Sequence, residues 1–325
     1  MQERGGTVHG DAELHHAAEL YWVQGMTMEA VADRFGVSRP TVSRMLQAAR
    51  DRGIVRISLS APPDAGHDLA HRLREAFGVT VHVTGTPRTA TEPQRLESVA
   101  RSAAGLLGEW FGDGMTLAVA WGTTTSAVAG HLQPKATRDA VVVQMNGAVS
   151  ARPTGVARSS ALLGQMSAAF GAALVPFPTP AFFDNEQTRT LMWQESSVRQ
   201  VLAVRNAADL AVFSVGAFRG PMISQVYSSG YLPEEAFREL ALQRVVGDVC
   251  TVFLREDGTY ADLDLNRRAS GPTPMELRRI PRRLCVVAGD SKVPGTVGAL
   301  RAGVLTDLVI DERTAASVVR HLFGR

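Results

Sequence analysis

Apolar residues near the N-terminus recur at the spacing of one helix face in three successive stretches. Residues 12–24, 28–35 and 42–49 each place apolar side chains at i, i+3, i+4 and i+7, which predicts three amphipathic helices. Gly36 lies between the second and third stretches and suits a tight turn, and Ser38 can cap the helix that follows. Two short helices joined this closely predict a helix-turn-helix.

The pattern changes after Gly53. Residues 54–59, IVRISL, alternate apolar and polar positions and are rich in β-branched residues, which predicts a strand or a short wing. Residues 61–66, APPDAG, then interrupt both periodicities with two prolines and a glycine. We therefore predict a winged helix-turn-helix domain at 1–60, a linker at 61–66 and a larger domain at 67–325.

Helical and extended patterns alternate through the larger domain. Helical spacing is found at 69–77 and 95–110. Apolar strand-like segments occur at 79–83, 117–120, 141–145, 174–176, 210–215, 249–254, 284–288 and 308–310. Such alternation predicts an α/β domain with a largely parallel sheet.

The third helix carries the side chains that suit DNA. Arg39, Thr41, Ser43 and Arg44, with Ser38 and Pro40 at the helix start, fall in its first two turns, where such a helix meets base edges. Between residues 39 and 56 there are five arginines against one acid, although the net charge of the whole chain is only +2. The alternative is a helical hairpin with a solvated arginine face. Arg50 and Arg52 are consistent with both interpretations, because a helix C-terminus attracts cations whether or not DNA is bound.

Two loops of the larger domain carry candidate ligand-binding chemistry. The string LAVAWGTTTS leads from a strand through Gly122 into Thr123, Thr124 and Thr125 and then an apolar helix. Exposed N–H groups and hydroxyls at a helix start suit phosphate, although such threonines can also be simple caps. Lys292 follows another buried strand, where ligands of parallel sheets bind, or it is an ordinary exposed lysine.

The composition narrows the function classes. The chain is 45% hydrophobic and 20% charged, with no apolar run near the length that crosses a bilayer and no secretory segment in residues 1–10, so we expect a cytoplasmic protein without a membrane partner. Cys250 and Cys285 lie in strand-like strings and are expected to be reduced, buried thiols. No histidine forms a recognisable ligand cluster, and we expect no metal and no cofactor.

Taken together, these motifs resemble the SorC-type sugar-binding transcriptional regulators, also called the deoxyribonucleoside-regulator type. The resemblance spans most of 12–325 and includes GVSRPTVSRML, the string VVGDVCTVFLREDG ending at Gly258, ELRRIP at 276–281, and AGDSKVPGTVGALRAGVLTDLVIDERTA at 288–315. The chain departs from the family pattern at Met28, Ala148 and Ala288.

The resemblance implies a Rossmann-like α/β effector domain related to sugar-phosphate isomerases and deaminases. This domain would bind a phosphosugar rather than convert it, and the protein would form a homodimer or homotetramer on operator DNA. By position, Gly122, Thr123, Thr124 and Thr125 would hold phosphate. Asn146 and Gly147 would line the site, Asp248 would meet sugar hydroxyls, and Lys292 would meet phosphate or sugar oxygen.

Three hypotheses follow for the function. The first is a ligand-responsive transcription factor with no catalytic residues. The second is a sugar-phosphate isomerase or lyase that carries a regulatory DNA-binding head, with Asp248 and Lys292 as its acid or base and its Schiff-base amine. The third is a scaffold protein whose head is unused.

Overall fold

The computed structural model describes residues 10–55, 64–149, 154–218, 220 and 223–324. The chain divides into two compact units, residues 1–60 and residues 61–325. In the described part of the chain, no helix combines the length and the apolar character needed to cross a membrane.

The first unit contains the three predicted helices. Helix α1, Asp11–Ala18, continues as a π-helical turn, Glu19–Val23, and is followed by α2, Met28–Phe35, and α3, Arg39–Asp51. Their apolar stripes meet in one core, whose buried members are Leu14, Ala17, Ala18, Leu20, Val31, Ala32, Val42, Met45, Leu46 and Ala49. The helical periodicity is confirmed.

The turn between α2 and α3 differs from the prediction in one detail. Gly36 ends α2 with a left-handed φ of 62°, a conformation that costs glycine little. Ser38 occupies the N-cap position of α3 but makes no side-chain cap hydrogen bond, because its hydroxyl lies 2.9 Å from the Thr41 hydroxyl instead. Most of the predicted wing at 54–59 lies outside the described residues and stays a prediction.

The second unit is built on a seven-stranded parallel sheet with the order β1-β10-β9-β5-β2-β3-β4. Its strands are β1 Thr80–Thr84, β2 Thr116–Val119, β3 Val141–Gln144, β4 Ala173–Val175, β5 Leu210–Phe213, β9 Arg282–Val287 and β10 Asp307–Asp311. From β2 the chain runs outward to β3 and β4, then returns to the other side of β2 as β5. The direction of winding therefore reverses between β2 and β5.

Helices cover both faces of this sheet, and the sheet separates two apolar clusters, one under each layer of helices. The helices are α4 Asp64–Phe77, α5 Glu92–Trp110, α6 Thr123–Gly130, α7 Thr154–Phe170, α8 Glu186–Met192, α9 Ser196–Asn206, α10 Gln225–Ser228, α11 Glu234–Leu242, α12 Asp264–Arg268, α13 Pro274–Leu277, α14 Val293–Arg301 and α15 Glu312–Phe323. Helix α4 begins at Asp64, inside the segment 61–66 that was predicted as a linker. Residues 64–66 are therefore helical, and the whole segment belongs to the second unit.

A second, antiparallel sheet was not predicted. It consists of β6 Val215–Ala217, β7 Val245–Val249 and β8 Val252–Arg255, in the order β6-β7-β8. The single strand expected at 249–254 is wrong, because Cys250 and Thr251 form the turn between β7 and β8 with φ of 52° and 70°. Neither residue is a glycine, so the usual sequence signal for a tight hairpin is missing here.

Helix α14 lies against this antiparallel sheet through glycines. A Cβ on Gly298 would lie 2.6 Å from the Arg255 carbonyl oxygen, and one on Gly295 would lie 2.6 Å from Val215 Cγ1. Backbone cannot move aside as a flexible side chain can. This contact therefore depends on the absence of side chains at two positions of α14.

We expect Gly298→Ala to destabilise the protein by about 1–3 kcal/mol, because overpacking against a backbone carbonyl forces the helix away from the sheet. The matched control is Gly105→Ala in α5, where a new Cβ would meet nothing within 4 Å. That substitution should stabilise the protein by up to about 1 kcal/mol, since alanine is the better helix former. Urea unfolding of both variants measures the two effects, and equal stabilities would contradict the packing described.

Candidate functional site

One cavity lies at the carboxyl edge of the parallel sheet, where the strand order reverses between β2 and β5. Its walls include Gly122 to Thr125 after β2, Asn146 after β3, Ser214 after β5 and Lys292 after β9. These four strands are neighbours in the sheet, and the carboxyl ends of parallel strands meet at one edge. The site therefore occupies the position where open α/β sheets bind ligands.

The first wall is the start of α6. Gly122 is the N-cap residue, and Thr123, Thr124 and Thr125 form the first turn, whose N–H groups have no acceptor within the helix. The Thr125 hydroxyl donates to the Gly122 carbonyl oxygen at 3.0 Å, which holds the turn closed. Thr124 is buried and its side chain reaches the cavity. The predicted loop thus presents several donors to one point.

Lys292 reaches this point from the opposite wall. Its side chain is 6% exposed, and its Nζ donates to Thr124 Oγ1 at 2.8 Å and to Ser214 Oγ at 2.9 Å. An ammonium has three donors, so one remains for a ligand. Burial lowers the pKa of Lys292 to about 8, although the nearby acids oppose this shift. The predicted convergence of the two loops, 168 residues apart in sequence, is present in the structure.

Asp248 enters the cavity from β7 of the antiparallel sheet. Its Oδ2 accepts the Thr251 N–H at 3.2 Å, while its buried Oδ1 forms no well-aligned hydrogen bond with the described residues, although the buried Tyr227 hydroxyl interacts with this carboxyl. Burial raises the pKa of this carboxyl to about 6. A Cβ on Gly216 would lie 1.9 Å from Oδ1, so glycine at that position is what admits the carboxylate.

Asn146 and Gly147 differ in their placement. Asn146 is 1% exposed and lines the cavity, with a buried Oδ1 that has no partner in the described part of the chain. Gly147 lies behind the wall instead, because its N–H donates to Ser270 Oγ at 2.9 Å and its carbonyl accepts from Trp121 Nε1 at 2.8 Å. Contrary to the expectation, Gly147 is not among the residues that line the cavity. Its carbonyl oxygen instead supports Trp121, which lines the cavity.

Several lining residues were not predicted. Ser214 follows β5 just as Gly122 follows β2, but the single strand predicted at 210–215 ran through it. The structure ends β5 at Phe213 and begins β6, a strand of the antiparallel sheet, at Val215. Further lining residues come from the antiparallel sheet and the segment that leads from it, namely Val215, Gly216, Ala217, Ile223, Ser224, Gln225, Val226, Cys250 and Thr251. No periodicity connects these positions to the parallel sheet.

The six residues proposed to read DNA lie at the N-cap and in the first two turns of α3. Ser38, Arg39, Pro40, Ser43 and Arg44 are exposed and Thr41 is half-buried. Arg44 Nη2 donates to Thr41 Oγ1 at 3.2 Å, and Arg39 forms an exposed ion pair with Glu29 at 3.1 Å. These contacts hold both guanidinium groups at the solvent face of the helix.

The two ambiguous arginines have structural partners. The Arg50 guanidinium lies 5.1 Å from the centre of the Trp22 ring, and Arg52 pairs with Asp11 at 2.8 Å. Both contacts tie α3 to the first helix and its π-helical turn.

Candidate metal ligands do not gather anywhere in the described residues: no group of three or more His, Cys, Asp or Glu side chains could hold an ion. Cys250 and Cys285 are both free and buried, and burial raises the pKa of the Cys285 thiol to about 12. These thiols are therefore not activated as nucleophiles.

Comparison with known proteins covers both units. The family model for a sugar-binding domain matches residues 62–320, and that for a homeodomain-like domain matches residues 12–56. The deoxyribonucleoside regulator of Bacillus subtilis is 30% identical over 307 residues, covering 94% of this chain and 96% of that protein.

Solved structures show the same fold. A domain of a possible sugar-binding transcriptional regulator from Arthrobacter aurescens TC1 is 41% identical, with a TM-score of 0.74 over 80% of this chain and all of that one. The full-length sorbitol operon regulator SorC of Klebsiella pneumoniae is 22% identical, with a TM-score of 0.74 over 95% of this chain and 99% of that one. The chain therefore belongs to the SorC/DeoR-type family of sugar-binding transcriptional regulators.

Proposed function

We propose that this regulator reads operator DNA with α3 and changes its DNA affinity when a phosphorylated sugar binds at the carboxyl edge of the parallel sheet. The observation that carries the proposal is the hydrogen bond between Lys292 and Thr124. It brings a buried cation to the start of a helix, and both features favour the same ligand, an anion.

The hydrogen-bond directions favour phosphate at this point. The Thr124 hydroxyl already accepts from Lys292, so its own proton is free to be donated elsewhere. The first N–H groups of α6 add further donors, and the helix dipole favours negative charge there. A phosphate offers three acceptor oxygens, which matches a site made largely of donors.

The other end of the cavity suits a polyol. Asp248 Oδ1 and Asn146 Oδ1 are buried acceptors that form no well-aligned hydrogen bond with the described residues, although the Tyr227 hydroxyl interacts with Asp248, and a buried acceptor left unpaired is costly. Sugar hydroxyl groups can donate to both. The arrangement therefore favours a ligand with phosphate at one end and hydroxyls at the other.

The hydrogen bonds of Lys292 and Asp248, the two candidate catalytic residues, favour ligand binding over catalysis. The Lys292 amine donates to two hydroxyls, and one Asp248 oxygen accepts a backbone N–H. Relatives along the whole chain are named as transcriptional regulators. We infer that the protein is not an isomerase or lyase.

We also infer that the protein acts as a homodimer or homotetramer. One recognition helix reaches only a few base pairs, and two-fold related copies read half-sites separated by whole turns of DNA. A palindromic operator follows from this symmetry.

A thermal-shift screen tests the proposed ligand class directly. Five- and six-carbon aldose and ketose monophosphates are compared with the same sugars lacking phosphate, because a ligand that binds the native state raises the melting temperature. The phosphorylated compounds should raise it and survive incubation unchanged. Turnover of a phosphosugar would instead support the enzyme hypothesis, and no shift with any monophosphate would refute the ligand class.

The first prediction from the proposed function concerns the phosphate end of the site. Thr124→Asp places a carboxylate where phosphate should lie, so the Kd of the phosphosugar should rise at least tenfold, about 1.4 kcal/mol. Lys292→Met should weaken binding similarly by removing the cation. Isothermal titration calorimetry measures both, with Thr188→Asp on the exposed surface of α8 as the matched control.

Both variants should still bind operator DNA but respond to effector only at concentrations at least tenfold higher than the parent protein requires, since an effector acts only through its differential affinity for two states. Unchanged effector responses in both variants would show that the α6 turn is only a helix cap.

The second prediction is a pH dependence that follows from Lys292. Its pKa in the free site is about 8, so it is cationic below that pH and loses its charge as the pH rises. A bound phosphate favours the charged form. Phosphosugar affinity should therefore be retained at pH 7 and fall as the pH rises through 8, with proton uptake on binding above pH 8. Calorimetry in buffers of different ionisation enthalpy measures this uptake, which Lys292→Met should lack.

The third prediction concerns the DNA-reading helix. Arg44→Ala should cost about 1–3 kcal/mol on the operator if the guanidinium reads guanine, and much less on random DNA. Arg52→Ala is the control, because Arg52 pairs with Asp11. Fluorescence anisotropy on both DNAs measures the effect. Equal losses on the two DNAs would identify Arg44 as a phosphate contact.

A further inference from the structure

One wall of the cavity comes from outside the parallel sheet. The segment 223–232 follows β6, contains the short helix α10 and leads to α11. Its first residues line the cavity, while Val226, Tyr227 and Leu232 are buried in a separate apolar cluster with β7, β8 and α11 residues. The segment therefore has one side toward the ligand and the other in a core of its own.

Gln225 lies at the cavity side of this segment. Its Nε2 donates to Thr123 Oγ1 at 3.4 Å, and Thr123 is the first residue of α6. A side-chain amide has two N–H donors, so the second remains for another acceptor. The amide group therefore lies within reach of an anion bound at the start of α6.

An aromatic contact joins the same segment to the same loop. Trp121, which precedes Gly122, stacks on Tyr231 with ring centres 5.1 Å apart and an angle of 23° between the planes. The Tyr231 hydroxyl donates to the Ala148 carbonyl oxygen at 3.2 Å. A Cβ on Gly155 would lie 2.2 Å from that hydroxyl. These contacts hold the segment in place beside α6.

The charges of the cavity make a further neutral donor useful. Among the described residues that line the cavity, Lys292 is the single cation and Asp248 the single acid. A phosphate dianion held by one cation near a carboxylate needs additional hydrogen bonds. Amide donors supply these bonds without another charge that would have to be desolvated.

We propose that Gln225 is a further phosphate-binding residue, donating its side-chain N–H to a phosphate oxygen from the side opposite Lys292. The inference rests on the proposed binding of a phosphosugar at α6. Bound phosphate would then connect the parallel sheet, through α6, with the segment 223–232 and the apolar cluster behind it.

The test compares Gln225→Glu, Gln225→Ala and the control Gln133→Glu, an exposed glutamine beyond the opposite end of α6. The probes are inorganic phosphate and the five- and six-carbon sugar monophosphates, titrated by calorimetry into the full-length protein. Gln225→Ala should raise the Kd about threefold to tenfold through the lost hydrogen bond. Gln225→Glu should raise it more than Gln225→Ala, because a carboxylate repels phosphate, and Gln133→Glu should match the parent.

The order of the two effects separates ligand contact from mere support of the wall. A structural role would make Gln225→Glu, which keeps the size of the side chain, the milder change. Suppose that the parent binds the probes and that the Kd of Gln225→Glu is equal to or lower than that of Gln225→Ala. The inference is then overturned, while the phosphosugar proposal stands. If the parent binds none of the probes, both fail. Should Gln225→Glu not fold, the Kd of Gln225→Ala decides, and a value equal to the parent's refutes the contact.

Discussion

The second unit depends on placing a lysine ammonium inside the protein. Lys292 is buried at the sheet edge, and its charge is compensated only by hydroxyl dipoles and by acids whose attraction does not offset the desolvation. Such an arrangement is tolerable because Thr124 and Ser214 accept two of its three N–H bonds, and because the loops carrying these residues follow adjacent strands. The parallel sheet thus fixes the point at which an anion is most strongly favoured.

The fold could be predicted wherever one periodicity dominated. Except for β1, in which polar and apolar residues alternate, each strand of the parallel sheet contains a short apolar run, and the loops that follow Val119 and Val287 carry donors. Because parallel strands all end at one edge, these loops had to converge, and Lys292 does contact Thr124. Ser214 was missed because the strand predicted at 210–215 ran through it, whereas the structure ends β5 at Phe213 and starts β6 at Val215.

The antiparallel sheet could not be predicted for a physical reason. Its β7–β8 turn has positive φ at Cys250 and Thr251, where sequence rules expect glycine or asparagine. The apolar run therefore reads as one continuous strand. What permits this turn lies elsewhere: a Cβ on Gly271 would lie 1.7 Å from the Cys250 carbonyl oxygen. A glycine 21 residues after the turn gives no local signal.

Gly147 is a residue that the sequence placed in the site but that the structure places outside it. It follows a parallel strand, beside a true lining residue, yet its N–H and carbonyl are used by Ser270 and Trp121. Adjacency in sequence was a poor guide because consecutive residues of an extended chain point to opposite sides. In the first unit, by contrast, the helices pack around one small apolar core, and the helical spacing of apolar residues was enough to predict that core.

The unpaired groups of the cavity suggest how binding energy becomes available for regulation. Asp248 Oδ1 and Asn146 Oδ1 form no well-aligned hydrogen bond with the described residues, and burial penalises the charges of both Asp248 and Lys292. The hydroxyls and phosphate of the proposed ligand would give these groups partners. A ligand shifts an equilibrium only by its differential affinity for two states. On this proposal, the ligand would favour the state of the protein in which all of these buried groups can contact it at once, and that preference would couple ligand binding to regulation.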